Sequence, residues 1–159
     1  MLDSSTDLKS MLSDPSLLQT RAFINNQWVD AENEATFDVK NPARGDVIAQ
    51  VADLTRTDLA RAISGAEIAQ KKWAAISAKE RSNILRAWYN LMMENQADLA
   101  KILTAEMGKP LAESMGEIAY GSSFVEFFAE EAKRNYGETI PGHQADKRLT
   151  VIKQPLRVA

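Results

Sequence analysis

The spacing of the apolar residues changes near residue 57. Before that point they fall in short runs at 22–24, 27–29, 36–39 and 47–52, which predict a small β-meander over residues 22–52. Asn25 and Asn26 separate the first two runs, and asparagine tolerates the positive φ angles of a tight hairpin turn. The segment between the last two runs is rich in turn-forming residues.

After residue 57 the apolar positions recur about every 3.6 residues, which predicts four helices within residues 57–136. Residue types that favour helix ends occur at the expected places between these segments. The predicted boundary residues are Thr57 as cap of the first helix, a capping box of Ser77 and Glu80 at the second, Asn95 as cap of the third, Gly108 at its end, and Pro110 at the start of the fourth.

Each predicted helix carries an apolar face that needs a covering layer, and two short hairpins cannot cover all of them. The faces of the first two helices consist of Leu59, Ile63, Ala66, Gln70 and Trp73, and of Ile84, Leu85, Trp88, Leu91 and Met92. Residues 1–20 are predicted to be a polar leader with one or two loose helical turns. Residues 147–154 are predicted to be a strand that lacks a later segment to pair with. We therefore expect the opening part of a larger protein.

Composition narrows the class of function. The chain of 159 residues is 45% hydrophobic and has a net charge of -3 with both signs interspersed, so no nucleic-acid partner is expected. It contains no cysteine and a single histidine, which excludes a thiolate zinc site, a thiol nucleophile and a multi-histidine metal site within these residues. No apolar run approaches the ~20 residues of a membrane span. The acidic leader does not resemble a targeting segment, so we expect a cytoplasmic protein.

Candidate chemistry within the chain is sparse. Glu113 and Glu117 lie four residues apart on one helix face, which suits an acid/base or metal pair but is more often a solvated face. His143 follows a Pro-Gly turn and is more often a surface residue than a catalytic one. Phe124, Phe127 and Phe128 are expected not to face one way on their helix, so that at least one points away from the core. We predict no catalytic, cofactor-binding or metal-binding residue, since no phosphate loop is present either.

Several segments, taken in order, resemble one family. Residues 23–29 (FINNQWV) and 41–48 (NPARGDVI) resemble the N-terminal signature of the aldehyde dehydrogenase superfamily, and residues 104–113 (TAEMGKPLAE) resemble its helix junction. Residues 123–134, 136–142 and 146–155 are most similar to the bacterial succinate-semialdehyde dehydrogenase branch. The resemblance covers nearly all of the chain from residue 23, although Arg157 stands where the family has glycine.

The resemblance implies an α/β fold for the full enzyme, with this chain mostly α-helical beside an N-terminal β-meander and a C-terminal strand. It also implies NAD or NADP as cofactor, a small aldehyde substrate oxidised through a cysteine thiohemiacetal, and a homo-oligomer joined by the strand at 147–154. The nucleophile, the base and the cofactor loop would all lie outside these residues, so we expect the chain alone to be inactive and to bind no cofactor. Residues 21–159 would form the first part of the dehydrogenase domain.

The resemblance places the fourth helix beside the aldehyde entrance. Tyr120, Phe124 and Phe127 are the residues that we predict to lie nearest the mouth of the substrate tunnel, where they would form an apolar wall. The alternative is a non-catalytic helical module, or a truncated remnant, that binds a partner through its uncovered faces.

Overall fold

Three antiparallel hairpins and four long helices make up the part of the chain that the computed structural model describes, residues 8–156 and 158. The strands are β1 (Ala22–Ile24), β2 (Gln27–Val29), β3 (Thr36–Lys40), β4 (Val47–Ala52), β5 (Glu138–Pro141) and β6 (Arg148–Val151). The helices are α1 (Arg56–Ala75), α2 (Ala78–Glu94), α3 (Gln96–Met107) and α4 (Leu111–Glu131), with short 3-10 turns at Pro15–Leu17 and Ala132–Arg134. The chain is therefore mostly helical with small strand pairs, as the sequence predicts.

The N-terminal strands form two separate hairpins, where the sequence predicts one meander. β1 pairs only with β2, and β3 pairs only with β4. The loop between the hairpins is held on α1, because the amide of Glu32 donates to the Asp58 carboxylate at 3.1 Å. The first turn is as predicted, since Asn25 and Asn26 have φ angles of 52° and 65°.

The helix boundaries agree with the sequence in part. Ser77 and Glu80 form the predicted reciprocal capping box. Gly108 ends α3 with a φ of 74°, as predicted. The cap of α1 is Thr55 rather than Thr57, because Asp58 three residues later completes a capping box with Thr55.

Asn95 stands at the predicted cap position of α3 but does not cap it with its side chain. The side-chain amide of Asn95 instead donates to the Leu91 carbonyl at 2.8 Å, at the end of the preceding helix α2. α4 begins at Leu111, directly after Pro110. The predicted helical stretch up to residue 136 ends earlier, at Glu131 and a 3-10 turn.

The leader supplies most of the main buried cluster. Leu8, Leu12 and Leu18 are buried together with Ile48 of β4, and Ile102 and Ala105 of α3 pack against them. Leu8, Leu12 and Leu18 thus dock the leader on the hairpin and on α3.

The predicted apolar faces of α1 and α2 are largely exposed. Leu59, Ile63 and Trp73 of α1, and Ile84, Trp88 and Leu91 of α2, all remain in contact with solvent. The other two residues of the predicted α2 face, Leu85 and Met92, are half-buried, and Ser82 of the same helix is buried. The uncovered faces expected from the sequence are therefore present.

The C-terminal strand is part of a hairpin. β6 is shorter than the predicted strand at 147–154, and it pairs with β5, a strand that the sequence does not predict. All eight strand residues are exposed. Among the described residues no helix is both long and apolar enough to cross a membrane.

Candidate functional site

Three of the aromatic residues that the sequence singles out share one exposed face of α4. Tyr120, Phe124 and Phe127 are spaced four and three residues apart, so they project from the same side of the helix. They are 66%, 46% and 57% exposed. The rings of Tyr120 and Phe124 meet edge to face with their centroids 4.9 Å apart, which fixes their relative orientation.

Phe128 extends this aromatic face, in contrast to the expectation that the three phenylalanines point apart. Its ring lies 5.3 Å from that of Phe127, again edge to face. At 3.6 residues per turn, positions 124, 127 and 128 fall within an arc of about 100°. All three phenylalanines are therefore exposed together, and none lies in the core.

Small residues on the opposite side of α4 explain this orientation. Ser114, Ser122 and Ala129 are buried and let α2 and α3 approach closely. The hydroxyls of Ser114 and Thr104 share a hydrogen bond of 2.8 Å between α4 and α3, and the Ser122 hydroxyl donates to the Ile118 carbonyl. With small residues at its fully buried positions, α4 packs closely on this side and presents its aromatic residues outward.

An ion-pair cluster fixes α4 against α2. Arg86 donates to Glu126 and to Glu130, each at 2.6 Å, and its guanidinium lies 5.3 Å from the centre of the Tyr89 ring. Hydrogen bonds from Lys133 and then Arg86 lower the pKa of the Glu130 carboxyl, while the two glutamates raise the pKa of Arg86. The sequence indicates only surface charge here, because the pairing joins residues 40 or more positions apart.

The other candidate residues do not converge on a site. Glu117 forms an ion pair with Lys109, whereas Glu113 is exposed, so the two carboxylates do not act as a pair. His143 lies in the exposed β5–β6 loop. Partial burial raises the pKa of Glu106, which belongs to none of these groups. Within residues 8–156 and 158, no cluster of three or more histidine, aspartate or glutamate side chains could hold a metal ion.

The turn at Gly108 does not have the form of a phosphate-binding loop for a nicotinamide dinucleotide. Such a cofactor needs glycines at a turn from a strand into a helix, where the backbone can approach the pyrophosphate. Gly108 instead joins two helices, and a Cβ there would lie 2.9 Å from Pro42, so no open cradle exists at this position. No step of a reaction can be assigned to a cofactor held by these residues.

Comparison with known proteins identifies the family. The model of the aldehyde dehydrogenase family matches residues 28–159, from β2 to the last residue. The chain belongs to the aldehyde dehydrogenase family. The matched range includes the strands β3 to β6 and the helices α1 to α4.

Two relatives are similar to nearly the whole chain. Glutarate-semialdehyde dehydrogenase of Pseudomonas putida is 56% identical over 147 residues, which cover 92% of this chain and 31% of that protein. The NADP(+) succinate-semialdehyde dehydrogenase of Escherichia coli is 55% identical over 147 residues, which cover 92% of this chain and 30% of that protein.

The fold is similar as well. The crystal structure of an NADP-dependent enzyme of Escherichia coli superposes with a TM-score of 0.88 at 56% identity, covering 91% of this chain and 30% of that one. The chain thus spans about 30% of the length of the relatives that it matches.

Proposed function

We propose that these residues serve within an aldehyde dehydrogenase that oxidises a short semialdehyde with a terminal carboxylate, using NAD or NADP. The single observation that carries the proposal is the high identity, 55% and 56%, to two relatives named for such semialdehydes. The two relatives are named for substrates that differ by one methylene, so the proposal extends to the class of substrate and not to one aldehyde.

The aromatic face of α4 is the part of the chain that we assign to the substrate. Tyr120, Phe124 and Phe127 would form the apolar wall at the mouth of the tunnel and contact the methylene groups of the semialdehyde. Their exposure and their edge-to-face packing support this role, because they are ordered side chains without a covering layer among the described residues. The carboxylate of the substrate would be bound outside this chain.

The test is a pair of substitutions, Phe124→Ala and Phe127→Ala, in a full-length relative that carries both residues. Each should lower kcat/KM for succinic semialdehyde by an amount equivalent to about 1–3 kcal/mol, since each removes apolar contact with the substrate. Phe37→Ala is the matched control, because Phe37 on β3 is a similarly exposed phenylalanine far along the chain from α4. A loss of thermal stability with unchanged kinetics would show that the α4 residues are structural.

Catalysis itself would depend on residues outside this chain. The family resemblance implies a cysteine nucleophile, and the sequence contains no cysteine. The purified chain should therefore produce no reduced cofactor from succinic or glutaric semialdehyde with NAD or NADP. Turnover that survives repurification of the chain would contradict this expectation. The cytoplasmic location predicted from the sequence stays a prediction.

The β5–β6 hairpin is the segment that we assign to assembly of a homo-oligomer. All of its strand residues are exposed to solvent, and they include Ile140, Leu149 and Val151. A two-stranded hairpin with no packed face is marginally stable at best, so it needs a further strand or layer. Deleting residues 138–151 from a full-length relative should therefore lower its oligomeric state, measured by sedimentation velocity. An unchanged oligomer would exclude this role.

A further inference from the structure

A basic pocket lies where the start of α2, the end of α4 and the C-terminal tail meet. It has a volume of about 330 Å³. Its charged lining consists of Arg81, Arg134, Lys153 and Glu131, three cations and one carboxylate. A concave surface with a net charge of +2 is notable in a chain whose net charge is -3.

The two arginines are held in place and keep donors available. Nη1 of Arg81 donates to the carbonyls of Ile76 and Trp73 at 2.6 and 3.4 Å, which fixes the guanidinium at the α1–α2 turn. Nη1 of Arg134 donates to Glu131 at 2.6 Å. Among the described residues, neither the second terminal nitrogen nor Nε of either arginine has a hydrogen-bond partner. Nε and Nη2 of Arg81 and of Arg134 are therefore hydrogen-bond donors that remain available to a ligand.

Lys153 adds a cation from a different part of the chain. Within residues 8–156 and 158 its ammonium group has no ion pair or hydrogen bond, although it lines the pocket. Phe128 and Ala132 contribute an apolar wall to the same pocket. The pocket thus combines separated positive groups with an apolar surface.

The geometry points to a binding site for a short organic dicarboxylate in this pocket. A dianion matches the net charge of the lining, and a carboxylate is the planar partner that a guanidinium binds with two hydrogen bonds. Cations from three separate elements suit a ligand with a charge at each end, and the wall of Phe128 suits the methylenes between them. A volume of about 330 Å³ exceeds the needs of inorganic phosphate.

A purely structural role for the cations is the competing explanation. The guanidinium groups of Arg81 and Arg134 lie at the carboxyl-terminal ends of α1 and α4, where positive groups offset the unpaired carbonyls and the helix dipole. This role does not account for Lys153, which lies on the tail beyond β6. Lys153 is therefore the residue whose substitution separates the two explanations.

The experiment is isothermal titration of the purified chain with succinate, with inorganic phosphate and with acetate at constant ionic strength. Succinate should bind with a Kd on the order of 1 mM, and acetate and phosphate should bind more weakly. Lys153→Gln should weaken succinate binding about tenfold, since it removes one charge-assisted contact. The fold should persist, because Lys153 makes no described contact, and circular dichroism checks this.

Lys133→Gln is the matched control. Lys133 lies next to Arg134 and carries the same charge, but it pairs with Glu130 and does not line the pocket. Its substitution should change succinate binding less than about twofold. Equal effects of the two substitutions, no heat of binding for succinate, or phosphate binding as tightly as succinate would each overturn the proposal. No turnover is needed, so the outcome is independent of the proposed function.

Discussion

Asp98 shows how one buried carboxylate can determine the course of a whole segment. Its carboxylate accepts a hydrogen bond from the amide of Asp14 at 2.8 Å and from the ammonium group of Lys101 at 2.9 Å. Lys101 also donates to the carbonyl of Met11 at 2.7 Å. The backbone of the leader is therefore attached to α3 at two points, beside the buried cluster of Leu8, Leu12, Leu18 and Ile48.

Acid should release this attachment. The amide of Asp14, followed by Lys101, lowers the pKa of Asp98, and the amides of Thr55 and Glu32 lower that of Asp58. A folded-state pKa below the unfolded value stabilises the protein above the unfolded pKa of about 4, and this stabilisation is lost as the pH falls further. Thermal melts should therefore show a falling Tm as the pH drops below about 4.

Asp98→Asn tests which group is responsible for that pH dependence. The side-chain amide of asparagine carries no charge, so the variant should have a lower Tm than the original chain at neutral pH. This difference in Tm should become smaller in acid. Lys9→Gln is a control that removes an exposed charge from the leader. If the difference in Tm between the Asp98 variant and the original chain stays constant with pH, Asp98 acts through its shape rather than its charge.

Gly108 is the position where backbone conformation should limit substitution. Its φ of 74° is unfavourable for a residue with a Cβ, and a Cβ there would lie 2.9 Å from Pro42. Gly108→Ala should therefore lower the free energy of unfolding by about 1–2 kcal/mol. Gly116→Ala is the matched control, because Gly116 lies inside α4 with nothing within 4 Å of its Cβ position. That variant should be more stable by about 0.5–1 kcal/mol in urea unfolding.

At the scale of elements, local signals predict helices better than they predict strand pairing. The Ser77 and Glu80 capping box and the Gly108 helix end are set by residues at most four positions apart, and both are present as predicted. The same local rule could have placed the cap of α1 at Thr55, since Asp58 follows three residues later. The loop between β2 and β3 is held by the contact between Glu32 and Asp58, which joins residues 26 positions apart and which no local pattern contains.

Which face of α4 is buried also depends on the helices α2 and α3 that pack against it. Its sequence contains aromatic residues that usually mark a core face, yet its fully buried residues are Ser114, Ser122 and Ala129. Periodicity does not tell which face of a helix is covered, and it does not predict that Phe124, Phe127 and Phe128 are exposed together. The sequence names the aromatic residues only as candidates, and it does not indicate the ion pairs of Arg86 that hold α4 against α2.

Enlarging the buried side of α4 should disrupt its packing on α2 and α3. Ala129 is completely buried, so Ala129→Leu should cost about 1–3 kcal/mol of unfolding free energy through overpacking. Ala112→Leu makes the same change at an exposed position of the same helix and should stay within about 0.5 kcal/mol of the original chain. Urea unfolding followed by circular dichroism measures both. Equal stability of the two variants would contradict the close packing.

At the scale of the whole molecule, the described residues expose more apolar surface than a monomer usually does. Trp73 on α1, Trp88 and Leu91 on α2, and Phe128 on α4 are all exposed. Apolar faces of this kind on a monomer mark interaction surfaces or lead to aggregation. The relatives are about three times as long as the chain, so they contain many further residues that could cover these faces.

The isolated chain should therefore self-associate, and the face of α2 with Ile84, Trp88 and Leu91 should be a main cause. Trp88→Lys combined with Leu91→Lys should shift the sedimentation profile towards monomer, because lysine makes burial of that face unfavourable. Asn83→Lys combined with Asn90→Lys adds the same charge at exposed positions on another side of α2 and is the matched control. The control should associate nearly as strongly as the original chain. An original chain that sediments as a single monomer and melts cooperatively would show that the chain completes its own core.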